Sequence, residues 1–422
     1  MNSHQEDVSV LELSLHGELV GYLAGFQNGR NVLSFAESFR ANPARPTLSL
    51  ITHPKFPKAE EAMADPWVKN QRLHPTLSNL LPEGALRELI AQGLGVHTDN
   101  EFQIFTYLGR DLPGALVATP LEPGNVPGHV LSSYGEARAV LIDQVAGGRK
   151  FSLAGVQMKF SMKEREGRYN LGVEDELGDW IIKTPSTVHP HVPLNEYTSM
   201  SLAAMAGVDI PDVRLVALDK LEGLPQINLP EEQYAFAIKR FDRENQRRIH
   251  MEDFAQVLVK YPQQKYNGAN YGQVGRVLYQ YSGDGLADAQ QFARRLLVNI
   301  LLANGDAHLK NWSLLYQDQV TPMLSPAYDI VTTRVYIEDE RRFALNLAKT
   351  KAWYEVSLEH FEYWARKADI PWRAVKPHLV DVIERARTRW PEALKNLPMA
   401  DEHKLQLVEH WQALQTDFRI KC

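Results

Sequence analysis

The chain has 422 residues, 44% of them hydrophobic and 23% charged; that is room for two or three domains and excludes a fibre or a wholly disordered chain. The formal net charge is −6, whereas a protein whose main partner is a phosphate backbone carries a basic excess, so autonomous nucleic-acid binding is disfavoured. The lone cysteine, Cys422, rules out an internal disulfide and suits a reducing compartment. The opening MNSHQEDVSV has neither a basic n-region nor an apolar h-region, so no secretory signal is expected. The longest strongly apolar run, Leu296 to Ala303, is too short to span a bilayer. A cytoplasmic, globular protein without a membrane segment is expected.

Taken in chain order, VSVLELSL, LVGYLAGF and NVLSF read as strands separated by His16-Gly17 and Asn28-Gly29, a hairpin pattern. After a proline-punctuated connection, Leu77 to Gln92 reads as an amphipathic helix with Pro82 in its first turn. TYLGRDLPGALVATP reads as turn and strand. Between about Gly114 and Asp242 short strands alternate with loops and one helix, roughly Leu194 to Ala206; DWIIK (Asp179 to Lys183) and QYAFAIKRF (Gln233 to Phe241) are the clearest strands. DAQQFARRLLVNILLAN then has helical apolar spacing and ends at Asn304-Gly305, a plausible C-cap. The last seventy or so residues carry three more helical patterns, interrupted by Pro371, Pro377, Pro391 and Pro398. A β-rich front joined to a helical back predicts a bilobal α+β protein.

The strongest chemical signal is Gly305-Asp306-Ala307-His308-Leu309-Lys310-Asn311, directly after the apolar helix. Phosphoryl transfer needs an acidic residue to orient the attacking hydroxyl and take its proton, and oxygen ligands for Mg²⁺. Asp306 and Asn311 have the separation found between the base and the metal-binding Asn of the protein-kinase catalytic loop. Lys310 is placed to neutralise the transferring phosphate, and His308 to support the loop or touch the nucleotide. Downstream, Ser325-Pro326-Ala327-Tyr328-Asp329-Ile330 sets Asp329 where kinases carry a second metal ligand. Lys183 ends an apolar strand from which it can reach the α/β-phosphates, with Glu196 as a carboxylate to hold it. Phe151 to Lys159 (FSLAGVQMK) is a small-residue turn suited to presenting backbone N–H groups to phosphates, although it is neither G-x-G-x-x-G nor G-x-x-x-x-G-K-[ST]. His308, His189 and His191 lack a Cys partner or an H-E-x-x-H setting, so zinc is not expected.

Together these residues closely resemble the HipA family of bacterial serine/threonine kinases, the toxin half of HipBA toxin–antitoxin modules, nearly end to end. SLAGVQMK, NEY, KRFDR (Lys239 to Arg243), EDFAQ, GDAHLKN and AYDI stand in family order, as do NLLPEG and LGRDLPGAL in the N-terminal part. The resemblance implies a HipA-like, kinase-like fold, with a β-rich N-terminal subdomain over 1–115, a kinase N-lobe over 116–245 and an all-helical C-lobe over 246–422. It implies Asp306 as catalytic base, Asn311 and Asp329 as Mg²⁺ ligands, and Ser152 as a site of self-phosphorylation. ATP would be held by Ala154, Gly155, Val156, Gln157, Met158, Lys159 and Lys183, by Lys239, Arg240 and Phe241 at the adenine hinge, and by His308, Lys310, Asn311, Tyr328 and Asp329. The implied partners are a dimeric HipB-like helix-turn-helix antitoxin, operator DNA mainly through that antitoxin, and a protein substrate such as glutamyl-tRNA synthetase. Family members often carry Glu where this chain has Lys239, so only a backbone-mediated hinge contact would survive there. A silenced core acting as corepressor is the alternative from another class, and a small-molecule kinase a third reading.

Overall fold

The computed structural model describes residues 6–132, 137–142, 157–171, 177–224 and 228–421. Ser152, Ala154, Gly155 and Val156 of the expected phosphate loop lie outside them. The chain divides into two compact units, and neither is continuous in sequence.

The first unit comprises Met1–Leu153, Asp242–Pro262 and Leu315–Thr321. Its sheet is built from β1 (Glu6–Leu15), β2 (Glu18–Phe26), β3 (Arg30–Phe35), β4 (Trp67–Asn70) and β5 (Leu116–Pro120), ordered β4-β3-β2-β1-β5, with β6 (Ala137–Ala139) added in parallel to β1. The β1–β2 turn puts His16 and Gly17 at φ 53° and 83°, as a two-residue primed turn requires. Alternation along β1 sends Leu11, Leu13 and Leu15 into one apolar cluster and Val8 and Val10 into another, so both faces of the sheet are covered. Against the first face pack α1 (Gly84–Leu94) and α2 (Glu101–Leu108). Two expectations are corrected here. Pro82 precedes α1, whose N-cap is Glu83, because Pro75–Ser78 forms a short helix of its own with a proline at its start. Thr106 to Leu108 close α2 where a turn was expected.

Segments distant in sequence are stitched into this unit by buried polar groups. Arg243 donates to the carbonyls of Leu112 and Gly114 and to the carboxylate of Asp242, which in turn accepts from the Gly114 amide. Gly114 stands at φ 74°, and a Cβ there would lie 2.9 Å from the Met251 amide nitrogen, so only glycine fits. Glu252, fully buried, accepts from Ser49 Oγ (2.7 Å), the Leu50 amide (2.7 Å) and Tyr316 Oη (2.5 Å). Burial pushes its carboxyl up to about 7 despite those three donors. A carboxyl raised on folding stabilises the fold fully below its unfolded value, and that contribution is lost as pH rises through the folded one. Between pH 4.5 and about 7 the loss amounts to roughly 3 kcal/mol. Glu252→Gln keeps the shape and most of the hydrogen bonds, and thermal melts across that window are expected to depend less on pH than those of the wild type. Parallel wild-type and variant curves would refute the assignment; Glu340, also raised by burial to about 7, remains in both proteins and cancels in the difference.

The second unit comprises Ala154–Phe241, Gln263–Leu314 and Pro322–Cys422. Its sheet contains β7 (Lys159–Arg165), β8 (Arg168–Asn170), β9 (Trp180–Lys183), β10 (Val213–Ala217), β11 (Leu221–Glu222) and β12 (Tyr234–Lys239), ordered β10-β12-β9-β7-β8-β11. Helix α3 (Val192–Met205) packs on β12 and β10. The remaining helices are α4 (Tyr271–Tyr281), α5 (Gly285–Leu301), α6 (Leu358–Lys367), α7 (Trp372–Asn396) and α8 (Asp401–Ala413), with Arg342–Leu347 and Thr350–Ala352 forming a small hairpin among them. Helix α5 is the buried spine: Phe292, Leu296, Leu297 and Ile300 are inaccessible to solvent. It stops at Leu301, and Ala303 (φ 50°) takes the left-handed turn; Asn304-Gly305 is not the cap, since the Asn304 side chain is used in the loop that follows. Pro377 and Pro391 do not interrupt α7, which runs through both.

Candidate active site

Lys159 and Lys183 sit directly opposite one another on the antiparallel pair β7–β9. Two like charges facing across a ladder repel, so this register calls for an anion between them. Asp329 supplies it. Its carboxylate pairs with Lys183 through Oδ1 and with Lys159 through Oδ2 (3.1 Å). Lys183 is buried and also pairs with Glu196 on α3, itself 2% exposed. The NEY segment that contains Glu196 lies inside α3. Burial opposes the charge on Lys183, yet Asp329 and Glu196 override it and hold the ammonium above its ordinary value. Burial likewise opposes ionisation of Asp329, and Lys159 with Lys183 holds its carboxyl well below the carboxylate range. For Glu196 burial prevails over Lys183 and pushes the carboxyl up.

Asp329 stands at φ 54°, a left-handed conformation that Asp tolerates better than most residues. The chain after it is clamped to α3: Asn195 donates to the Thr332 carbonyl (2.9 Å) and accepts from the Thr332 amide (3.0 Å). One side-chain amide thus replaces a strand partner.

The loop after α5 is held as tightly. Asn304 accepts from the Asp306 amide (3.0 Å) and donates to the Asp329 carbonyl (3.4 Å) and to Asn299 Oδ1 (2.7 Å). A single buried asparagine thus joins the Asp306 loop, the Asp329 segment and α5. Gly305 donates to Thr333 Oγ1 (2.7 Å). The Asp306 carbonyl accepts from the His308 amide (2.7 Å) and from Asn311 Nδ2 (2.8 Å). That bond uses the nitrogen of the Asn311 amide and leaves its oxygen for a cation. The Asp306 side chain is about half exposed, with Oδ1 4.0 Å from His308 Nε2 and 2.5 Å from Tyr266 Oη. Asn311, Tyr328, Asp329 and Asn304 line one narrow cavity.

The expected nucleotide contacts are distributed unevenly. Tyr328 Oη donates to the Lys310 carbonyl (2.8 Å) and meets Ser313 Oγ, while the Tyr328 ring packs 5.7 Å from Phe241. Phe241 thus offers an aromatic wall beside the Lys310–Asn311 loop. Lys239 is exposed and its amide donates to the Asp212 carbonyl; the Arg240 amide goes to the Asp179 carbonyl and its guanidinium to Ser161 Oγ (2.8 Å). The backbone N–H groups of both residues and the Arg240 guanidinium are therefore already committed. Met158 pairs with Thr184 between β7 and β9. Gln157 Nε2 is buried and has no hydrogen-bond partner among the described residues, beside the strand that carries Lys159. Sequence reasoning missed Asn195, Asn304 and Thr333. Asn195 opens the NEY motif and Asn304 directly precedes GDAHLKN, but neither received a site role from the sequence, and an isolated Thr carries no spacing signal.

Comparison with known proteins follows the geometry. The HipA-like C-terminal domain matches residues 151–390 and the HipA N-terminal domain residues 11–119. The chain belongs to the HipA family. It is 41% identical over 93% of its length, and 94% of the relative's, to Y4dM of Sinorhizobium fredii, a presumed kinase. It is 24% identical to the serine/threonine-protein kinase toxin HipA of Shewanella oneidensis, over 87% of each chain. The fold matches a Shewanella oneidensis HipA chain, solved in a complex of HipA, HipB and operator DNA, with a TM-score of 0.71 and 21% identity over 96% of this chain and 97% of that one. The α+β, kinase-like HipA fold read from the sequence is the fold of this protein, but the expected all-helical C-lobe over 246–422 is corrected: strands such as Ser313–Tyr316 and Arg342–Leu347 lie within that range. Among the described residues no helix is long and apolar enough to cross a membrane.

Proposed function

We propose that the second unit transfers the γ-phosphoryl group of Mg-ATP to a serine hydroxyl of a protein. The observation that carries the reading is the Lys183–Glu196–Asp329 network tied through Asn304 to the Asp306–Asn311 loop. The donor set fits the metal: Asp329 and Asn311 offer only oxygen, and Mg²⁺ takes few protein ligands while drawing the rest from phosphates and water. Among the described residues no cluster of three His, Cys, Asp or Glu suits another ion. When bound, Mg²⁺ would neutralise phosphate charge. Lys183 and Lys159 would exchange part of their pairing with Asp329 for nucleotide oxygens, and Gln157 would gain a partner. Asp306 orients the serine hydroxyl and accepts its proton as the Oγ–P bond forms and the bond from the γ-phosphorus to the β–γ bridging oxygen breaks, releasing ADP.

Family membership supports the finer reading: a toxin kinase of the cytoplasm that phosphorylates an aminoacyl-tRNA synthetase such as glutamyl-tRNA synthetase and halts translation. Self-phosphorylation of Ser152 would put about two negative charges into a loop meant for phosphates and switch the enzyme off. A HipB-like antitoxin dimer, bound to operator DNA, would be its partner, as in the complex that contains the Shewanella oneidensis chain. That complex also favours a second reading, in which the chain serves mainly as corepressor.

Intact mass and peptide mapping after incubation with Mg-ATP test the proposal. The wild type is expected to gain phosphate on serine, and Asp306→Asn to do so roughly a hundred- to ten-thousandfold more slowly. Equal rates would remove Asp306 from the chemistry. No gain in an unphosphorylated wild type that binds ATP would favour the corepressor.

A further inference from the structure

Tyr266 belongs to none of the motifs named above, yet its hydroxyl donates to Asp306 Oδ1 at 2.5 Å. The contact is built into the fold. The segment that carries Tyr266 grips the Asp306 loop at three places: the Lys265 carbonyl accepts from the Leu309 amide (3.2 Å), the Tyr266 ring stands edge-on to His308 (5.0 Å), and Tyr271 Oη donates to the Ala307 carbonyl (2.9 Å). Lys265 Nζ lies 5.5 Å from the Tyr266 ring centre.

We propose that Tyr266 is a positioning residue for the catalytic carboxylate, fixing Asp306 Oδ1 so that Oδ2 is presented to the acceptor hydroxyl. The inference rests on the phosphotransfer reading and deepens it. A half-exposed Asp side chain is weakly constrained at χ2, because terminal sp³–sp² torsions are broad. A short charge-assisted bond from a phenol anchored on His308 selects it. Misplacing a reacting group by an ångström slows a reaction about a hundredfold without altering what the site binds. Tyr266 is itself 39% exposed, so it anchors one carboxylate oxygen without sealing the loop from a protein acceptor.

The test uses the full chain, freed of phosphate, as its own acceptor at varied Mg-ATP, with the rate read by intact mass. Tyr266→Phe keeps the ring on His308 and removes only the hydroxyl. Its maximal rate is expected to fall about ten- to a hundredfold, with the half-saturating ATP concentration and the melting temperature unchanged. A purely structural tyrosine would instead move the melting temperature, or ATP affinity along with rate, and that pattern overturns the proposal. So does an unchanged rate. A faster variant would make Tyr266 a plug in the acceptor site, and phosphate found on Tyr266 itself would make it an acceptor; either result also overturns positioning. A wild type that binds ATP but transfers nothing defeats the phosphotransfer reading itself, and the role of Tyr266 with it. An active wild type matched by Tyr266→Phe defeats only the role of Tyr266.

Discussion

Lys183→Met is expected to abolish phosphotransfer and to lower stability by about 3–5 kcal/mol, while adding Glu196→Leu should return most of the stability and none of the activity. Lys183 and Glu196 are each under 4% exposed. Removing the cation alone leaves a carboxylate in a site with no water to solvate it, and such a group is expensive until it is protonated. The sign follows. In the single variant Glu196 is neutral in the fold and free to ionise in the unfolded chain, so stability falls as pH rises above the ordinary Glu range. The double variant has no carboxylate at that position and loses this slope. Asp329 keeps Lys159 in both proteins, so the loop geometry survives. Urea denaturation at pH 5 and pH 8, alongside a phosphotransfer assay, separates the two effects. Recovery of activity in the double variant would mean that Lys183 only stabilises the fold and does not handle phosphate.

The residues proposed for the phosphotransfer site stood out because their spacing is that of a kinase catalytic loop. Asp306 and Asn311 fall on one short loop, and the structure joins them by a direct hydrogen bond. Lys183 was legible as a strand end, although only the register opposite Lys159 explains why an acid has to stand between them. The strands β1 to β3 were equally plain, since His16-Gly17 and Asn28-Gly29 separate apolar-rich runs, whereas the short β4 and β6 gave no signal of their own. Helix ends were less so. Ala303 adopts the left-handed turn in place of a glycine because Asn304 is needed inward, and Pro391 persists inside α7 because tertiary packing of Trp390 and Leu394 outweighs one lost hydrogen bond. Hardest of all was the discontinuity of the units. No periodicity marks 242–262 and 315–321 as belonging with the N-terminal sheet. Glu252, Arg243 and Tyr316 make that connection through buried hydrogen bonds, which leave no pattern in the sequence.

Asp329→Asn is the second variant with a large expected effect, and its value lies in comparison with Asp329→Ala. Asp329 adopts φ 54°, which Asn accepts readily and Ala does not. The Asn variant should therefore keep the backbone of the 326–332 segment, its Asn195 clamp and its Asn304 bond, while losing the charge between Lys159 and Lys183. Phosphotransfer is expected to drop about a hundred- to a thousandfold, since both the proposed metal ligand and the balance of the two lysines are gone. Stability should fall at neutral pH and converge with the wild type in acid. The wild-type carboxyl is depressed by its lysines, so its contribution is present above the ordinary Asp range and disappears as pH drops through the folded value. The Ala variant should add about 1–2 kcal/mol of backbone strain at every pH. Parallel loss of activity in both, with extra destabilisation only in Ala, assigns the carboxylate to chemistry and the left-handed turn to architecture. Wild-type turnover in Asp329→Asn would show that the metal is held elsewhere, and that Asp329 serves only to keep two facing lysines apart.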